Sequence, residues 1–101
     1  MAKITWTTQS LDDIQSISQY ISQDSIYYAQ LFAETIFQKV KILETFPLTG
    51  RIVPESNTET IREIFHGNYR IIYRIKHELV ELLTIHHGAQ ILNFVENSKK
   101  I

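Results

Sequence analysis

The stretch Tyr69–Lys76, YRIIYRIK, sets Arg70, Arg74 and Lys76 at alternate positions. Successive side chains of an extended strand point to opposite faces. These three cations therefore share one face with Ile72, while Tyr69, Ile71, Tyr73 and Ile75 share the other. A rigid row of cations suits an anion, either the carboxylates of an acidic partner or a phosphate backbone. Arg51, after Gly50, and Arg62, in Ile61-Arg62-Glu63, add cations on neighbouring segments. Glu63 and Glu81 lie on the flanking runs, so cross-strand ion pairs are the structural alternative for Arg70 and Arg74. His86 and His87 are consecutive in an extended run, so one must face each side. His66, His77, His86 and His87 show no convergence of the kind a metal requires. No metal and no cofactor are expected.

The elements that hold these residues are legible as hydrophobic patterns. Ile61–His66, Tyr69–Lys76 and Leu79–His87 are rich in β-branched and aromatic residues and alternate with period two, which predicts three antiparallel strands. Gly67-Asn68 and His77-Glu78 are the tight turns between them. Gly and Asn both tolerate positive φ. Lys3–Thr7 reads as a further short strand, with Ile4 and Trp6 on one face. Thr7, Thr8 and Ser10 offer capping oxygens for a helix that runs to about Gln23, with Asp12 and Asp13 expected in its first turn. Leu11, Ile14, Ile17 and Ile21 recur at helical spacing. Asp24 or Ser25 caps a second helix over about Ile26–Phe46. Its buried stripe is Ala29, Phe32, Ala33, Ile36, Phe37, Val40 and Leu43. Pro47 ends it.

So short a break between two helices predicts an antiparallel hairpin. The order is β-α-α-β-β-β, an α+β two-layer fold with an antiparallel sheet and the helical hairpin on one face. Tyr69 and Tyr73 are expected in the core beneath the helices. The first and second strands are expected to run antiparallel. Leu48–Thr60 is a long polar connection, of a length that is often functional or mobile. Gln90–Asn97 is a short helix or an extended segment that docks on the sheet or on a partner. The far sheet face then carries Ile72, Leu82 or Leu83, and the cations, with little to cover it. Such a face suggests a partner surface. Arg70 is expected to have no structural duty there, so that its loss weakens partner binding and leaves melting near normal.

Composition narrows the function classes. The 101 residues are 44% hydrophobic and 21% charged, as expected of one domain spanning 1–101. The absence of cysteine excludes a disulfide framework and thiolate metal sites. No apolar run approaches the ~20 residues that span a bilayer, and the first ten residues lack a signal-peptide core. No membrane association is expected, and the cytoplasm is the expected location. The net charge of −1 conceals an asymmetry. Residues 1–60 carry four Lys/Arg against seven Asp/Glu, whereas residues 61–101 carry six against four. The sheet half is basic and the helical half acidic.

Four pieces, in order along the chain, resemble the RelE/ParE superfamily of bacterial type II toxins, which includes plasmid stabilisation proteins. Leu11-Asp12-Asp13-Ile14 with Tyr20-Ile21 is similar to the pattern of the family's first helix. Phe46-Pro47 through Gly50-Arg51 is similar to its post-helix segment. Ile61-Arg62-Glu63 with Tyr69-Arg70-Ile71-Ile72-Tyr73-Arg74 is similar to its strongest stretch, and Ile85-His86-His87-Gly88 to its terminal His. The resemblance implies a cognate antitoxin that wraps and neutralises the toxin. It leaves two mechanisms. RelE-like members cleave mRNA on the ribosome. ParE-like members poison DNA gyrase without known catalysis.

An RNase would use Arg70 on the scissile phosphate and His87, or His86, as general acid. Arg62 and Glu63 stand where a RelE-like protein offers lysines. Beyond Gly88 the chain has Gln90, no Lys or Arg before Lys99, and no Tyr. This thin cationic set favours the gyrase-binding, ParE-like reading, with Arg51, Arg62, Arg70 and Arg74 as partner-binding residues. A degenerate toxin that retains only antitoxin binding is a third reading.

Overall fold

The computed structural model describes residues 1–88. The expected Gln90–Asn97 segment lies outside the described residues. The chain runs β1 (Lys3–Trp6), α1 (Thr8–Ser22), α2 (Ile26–Lys41), two 3₁₀ turns (Ile42–Glu44 and Pro47–Thr49), β2 (Arg51–Ile52), β3 (Ile61–His66), β4 (Tyr69–Lys76) and β5 (Leu79–His87). The strands form one sheet in the order β1-β5-β4-β3-β2. The α+β class, with a helical hairpin on one face of a largely antiparallel sheet, stands as the pattern predicts.

Two features of the sheet differ from expectation. β1 pairs with β5, in parallel, with Lys3 opposite Leu79 and Trp6 opposite Leu82. The reason is β2. Two residues are too few to show periodicity, yet Arg51 and Ile52 pair antiparallel with Glu63 and Arg62. β2 therefore takes the antiparallel return from the helices, and the following loop reverses the chain again. β3, and with it β5, then runs in the same direction as β1. The second feature is a bulge. Ile72 faces Thr84 and Tyr73 faces Leu82, which leaves Leu83 as the extra residue. Leu82 is buried beneath the helices and Leu83 on the far face, and the extra residue shifts the alternation so that the helical side passes from Val80 and Leu82 to Ile85.

Capping chemistry sets the helices. The Thr7 side chain accepts the Ser10 N–H (3.1 Å) and donates to the Leu82 carbonyl (2.7 Å), so one hydroxyl starts α1 and ties it to β5. No acidic residue lies in the first turn; Asp12 and Asp13 fall just beyond it. Ser25 caps α2 by accepting the Tyr28 N–H. α2 ends at Lys41 and tightens into a 3₁₀ turn, short of the expected Phe46. Lys39 and Lys41 sit in its last turn, where the helix dipole favours cations.

Ile14, Phe32, Ile36, Val40 and Leu43 from the helical layer pack on Ile71, Tyr73, Val80, Leu82 and Ile85 of the sheet. Tyr69 packs at the margin of the same cluster. Phe37 departs from the expected stripe. It is 45% exposed, and its ring lies 4.8 Å from that of Trp6 at the sheet edge. Position 37 lies about 100° around the helix from Ile36, outside the row formed by Phe32, Ile36 and Val40. The far face is also covered. Val53 of the long connection is fully buried there with Ile61, Ile72 and Leu83.

Candidate functional site

The expected cationic face is a folded ion-pair network. Glu63 on β3 is buried, with a side chain that is 0% exposed. Its carboxylate accepts from Arg70 Nε at 2.5 Å and from Arg51 Nε at 2.7 Å. Arg70 then turns its other two nitrogens to Glu55 on the long connection, Nη1 at 2.7 Å and Nη2 at 2.9 Å. The four side chains form a chain of alternating charge, Arg51–Glu63–Arg70–Glu55. Bidentate, charge-assisted pairing of this kind is the strong form of the arginine–carboxylate contact. The Glu55 carboxyl is pulled down to about 2, chiefly by its hydrogen bonds with Arg70. Arg70 is raised in turn, chiefly by Glu55.

Arg70 does face away from the helices. It does not lack a structural duty: it is only 6% exposed and ties the connection to the sheet. An arginine so placed belongs to the scaffold, so its loss should lower the melting temperature instead of leaving it near normal. Arg74 pairs with Glu81 across β4 and β5, Nη2 to Oε1 2.5 Å. Arg62 donates through Nε to the Glu59 carbonyl (3.0 Å) and through Nη1 to the Gly50 carbonyl (2.9 Å). The Arg51 guanidinium lies 5.1 Å from the centre of the Phe65 ring, with a side chain 59% exposed. Of the four arginines singled out from sequence, Arg51 and Arg70 converge on Glu63, while Arg62 and Arg74 lie to either side.

Gly50 and Tyr73 complete the clamp. The Tyr73 hydroxyl donates to the Pro47 carbonyl (2.6 Å) and accepts the Gly50 N–H (2.9 Å). Burial pushes its phenol up. A Cβ on Gly50 would sit 2.6 Å from the Glu63 carbonyl oxygen and 2.6 Å from the Tyr73 hydroxyl. Only glycine permits that approach.

The histidines lie at the other end of β4. His87 is opposite Tyr69 and His86 opposite Arg70. Cross-strand partners share a face, so His87 stands on the helical side, its ring 5.7 Å from that of Tyr69, while Arg70 stands on the other. The proposed pair of phosphate-binding Arg70 and general acid His87 is thus split by the sheet, whereas the alternative acid, His86, is the cross-strand partner of Arg70 and shares its face. His66 flanks Tyr69 from β3, and burial lowers its imidazole below the ordinary 6.5.

A cleft of about 410 Å³ opens between α1 and β5, lined by Asp13, Ser16, Ile17, Tyr20, Tyr69, Ile85, His86 and His87. Asp13 in its wall accepts from the Thr84 hydroxyl and from the Ile85 N–H (3.0 Å), so a helix carboxylate caps β5 beyond the end of β1. Sequence reasoning placed Asp13 only at a helix dipole. It had no signal for Glu55, which sits in a polar run without period. Among the described residues no three His, Cys, Asp or Glu side chains are grouped to hold a metal, and no helix is long and apolar enough to cross a membrane.

The chain is similar in fold to solved toxin–antitoxin structures. The chromosomal ParDE system from P. aeruginosa matches with a TM-score of 0.70 and 21% identity, over 86% of this chain and 96% of that one. The toxin–antitoxin complex RelBE2 from Mycobacterium tuberculosis matches with a TM-score of 0.56 and 19% identity, over 85% of this chain and 96% of that one. No curated protein matches the chain. The family model for the ParE toxin of the type II toxin–antitoxin system parDE matches residues 4–92, so this chain, with its β1-to-β5 sheet and its Gly50–Tyr73 clamp, belongs to the ParE toxin family.

Proposed function

We propose that this toxin arrests bacterial growth by binding and poisoning DNA gyrase in the cytoplasm, without catalysis of its own, and that a cognate antitoxin neutralises it. The observation that carries the choice between mechanisms is the state of Arg70. An RNase needs a cation free to meet charge developing on the scissile phosphate, with a proton donor on the same side. Here two carboxylates occupy Arg70, so neither His87, across the sheet, nor His86, on its own face, stands beside a free cation. A protein that acts by binding has no need of such a pair. Antitoxins are present in both solved systems that this chain resembles, which supports an antitoxin partner. The Arg51 guanidinium, largely exposed beside Phe65, and Arg62 and Arg74 are the partner-facing cations in this reading.

Inducing the toxin in cells, with mRNA ends mapped by primer extension, tests the reading beside a gyrase supercoiling assay with purified protein. The expected result is linearised plasmid with intact mRNA. New mRNA 5′ ends at ribosome-bound positions, with normal supercoiling, would reject it in favour of the ribosome-dependent mRNA interferase.

A further inference from the structure

The two carboxylates on Arg70 are not equivalent. Glu63 is on a strand, has a fully buried side chain, and is held a second time by Arg51. Glu55 is on the connection between β2 and β3, its side chain is 33% exposed, and Arg70 is its ion-pair partner. Its neighbours fix the backbone without it. Val53 is fully buried, and its carbonyl accepts the N–H groups of Ser56 and Asn57 at 3.1 and 3.0 Å. The Glu55 side chain can therefore turn into water while the connection keeps its place. What it would leave behind is the outer edge of a guanidinium whose inner edge is anchored by Glu63.

We propose that the Nη1–Nη2 edge of Arg70 is a latent carboxylate-binding fork, masked by Glu55, and that an acidic side chain of a protein partner occupies it by displacing Glu55. This deepens the reading above, in which a partner protein holds the toxin. The site already seats a carboxylate with two hydrogen bonds, so an aspartate or glutamate from a partner replaces it atom for atom. The charge also matches. With Glu55 withdrawn, Arg51, Arg70 and Glu63 sum to one positive charge, enough for one carboxylate. A phosphate backbone carries repeated charge, for which a single net positive charge beside the buried Glu63 offers one seat only.

The exchange swaps one ion pair for another and returns Glu55 to water, so the network's charge is unchanged. Glu55 is tethered, and a tethered group competes at an effective concentration in the millimolar range or above. A free monovalent carboxylate is therefore excluded from the wild-type protein. A partner succeeds because its other contacts hold the incoming side chain in place.

Acetate and inorganic phosphate, titrated separately into the full chain, test this through the Arg70 Nε–H resonance in ¹⁵N-labelled protein, identified by its absence in Arg70→Lys. In Glu55→Ala, acetate should shift that resonance saturably, with an affinity roughly tenfold or more above that of wild type. Glu55→Gln, which keeps the volume, should respond in the same direction. In the double variant Glu55→Ala with Arg70→Lys, which lacks that resonance, the acetate-dependent shifts of neighbouring backbone amides such as those of Ser56 and Asn57 should be abolished. A folded Glu55→Ala protein that ignores acetate overturns the proposal. So does a marked preference for phosphate, which would make the edge a phosphate site. Loss of folding in both Glu55 variants also overturns it, because Glu55 would then be scaffold that no partner can displace. Indifference to acetate or loss of folding would leave the gyrase assignment standing, whereas a preference for phosphate would count against both, and the supercoiling assay tests gyrase independently of the fork.

Discussion

Replacing Arg70 by alanine tests whether the network is scaffold. The substitution removes a cation that is 6% exposed and leaves the fully buried Glu63 carboxylate with Arg51 alone. Breaking a buried pair by deleting one partner costs about 3–5 kcal/mol, because the remaining charge stays in a poor solvent. Two facts moderate this. Arg51 still holds Glu63, from a side chain 59% exposed, and Glu55 moves into water from a position already one-third exposed. The expected loss is therefore about 2–4 kcal/mol, a large share of the ~5–15 kcal/mol available to a domain. For a chain of this size that lowers Tm by roughly 10–25 °C. Urea unfolding at pH 7 measures it directly. Arg70→Lys keeps the charge but cannot serve both carboxylates as a planar fork does, so it should lose less than alanine and still more than about 1 kcal/mol. Adding Glu63→Gln to Arg70→Ala removes the stranded charge and should restore about 1 kcal/mol or more in the double-mutant cycle. A loss below about 1 kcal/mol for Arg70→Ala would refute the scaffold argument, and the open-surface reading of this arginine would return.

The remaining expectations concern packing and acid. Gly50→Ala places a methyl group against the Glu63 carbonyl and the Tyr73 hydroxyl, and should cost about 1–3 kcal/mol in urea unfolding; a neutral effect would mean that this segment yields without strain. Phe32→Ala, in the core between hairpin and sheet, should cost about 3–5 kcal/mol, whereas Phe37→Ala, half-exposed on Trp6, should cost less than about 2 kcal/mol; equal losses would contradict the placement of Phe37. Glu55 has a folded pKa of about 2 against an ordinary 4.5, so its contribution is complete above the ordinary value and is lost as pH falls through that interval. Solvent screening of this partly exposed side chain leaves about 1–2 kcal/mol to lose. His66 is also lowered, so acid erodes its share as pH falls below its ordinary 6.5. Urea midpoints should therefore decline steadily from pH 7 to 3, and Glu55→Gln should flatten the lower part of that curve.

How much of this was legible in the sequence follows from what carries a local signal. Three strands over Ile61–His87 declare themselves by alternation, because each buries one face. Phe32, Ile36 and Val40 declare α2, because a helix returns to the same face every four residues. Polar residues at Thr7 to Ser10 and at Asp24-Ser25 declare the helix starts, because capping is local chemistry, but which oxygen caps, Thr7 and Ser25, emerges only with the fold. What was missed depends on distant partners. β2 is two residues long and exists only because β3 pairs with it. With β2 unseen, the direction of β1 was misjudged. The bulge at Leu83 gives no local signal, because a change of phase between Leu82 and Ile85 shows only against the partner strand. Cross-strand pairing offers the Glu63 and Glu81 contacts, but only as an alternative to partner-facing arginines, since both readings place the cations on the same face. Glu55 reaches Arg70 from a loop, where period says nothing.

The residues that mark the family in this chain turn out to contact one another. Gly50 meets Tyr73 and the Glu63 backbone; Arg51 and Arg70 bracket the Glu63 side chain. Together they pin the connection over the far sheet face, where Val53 seals Ile61, Ile72 and Leu83. A stretch held by that duty identifies the fold whatever the protein acts on. This is why the strongest part of the resemblance could not separate gyrase from mRNA as a target. The discriminating information lies where the clamp stops: in Arg51, anchored by Glu63 yet largely exposed, and in the edge of Arg70 that Glu55 covers. A side chain with one duty in the scaffold and one face toward solvent can acquire a partner without loss of the fold. On that ground the outer edges of the network, and not its buried centre, are where differences in partner choice between related toxins should be sought.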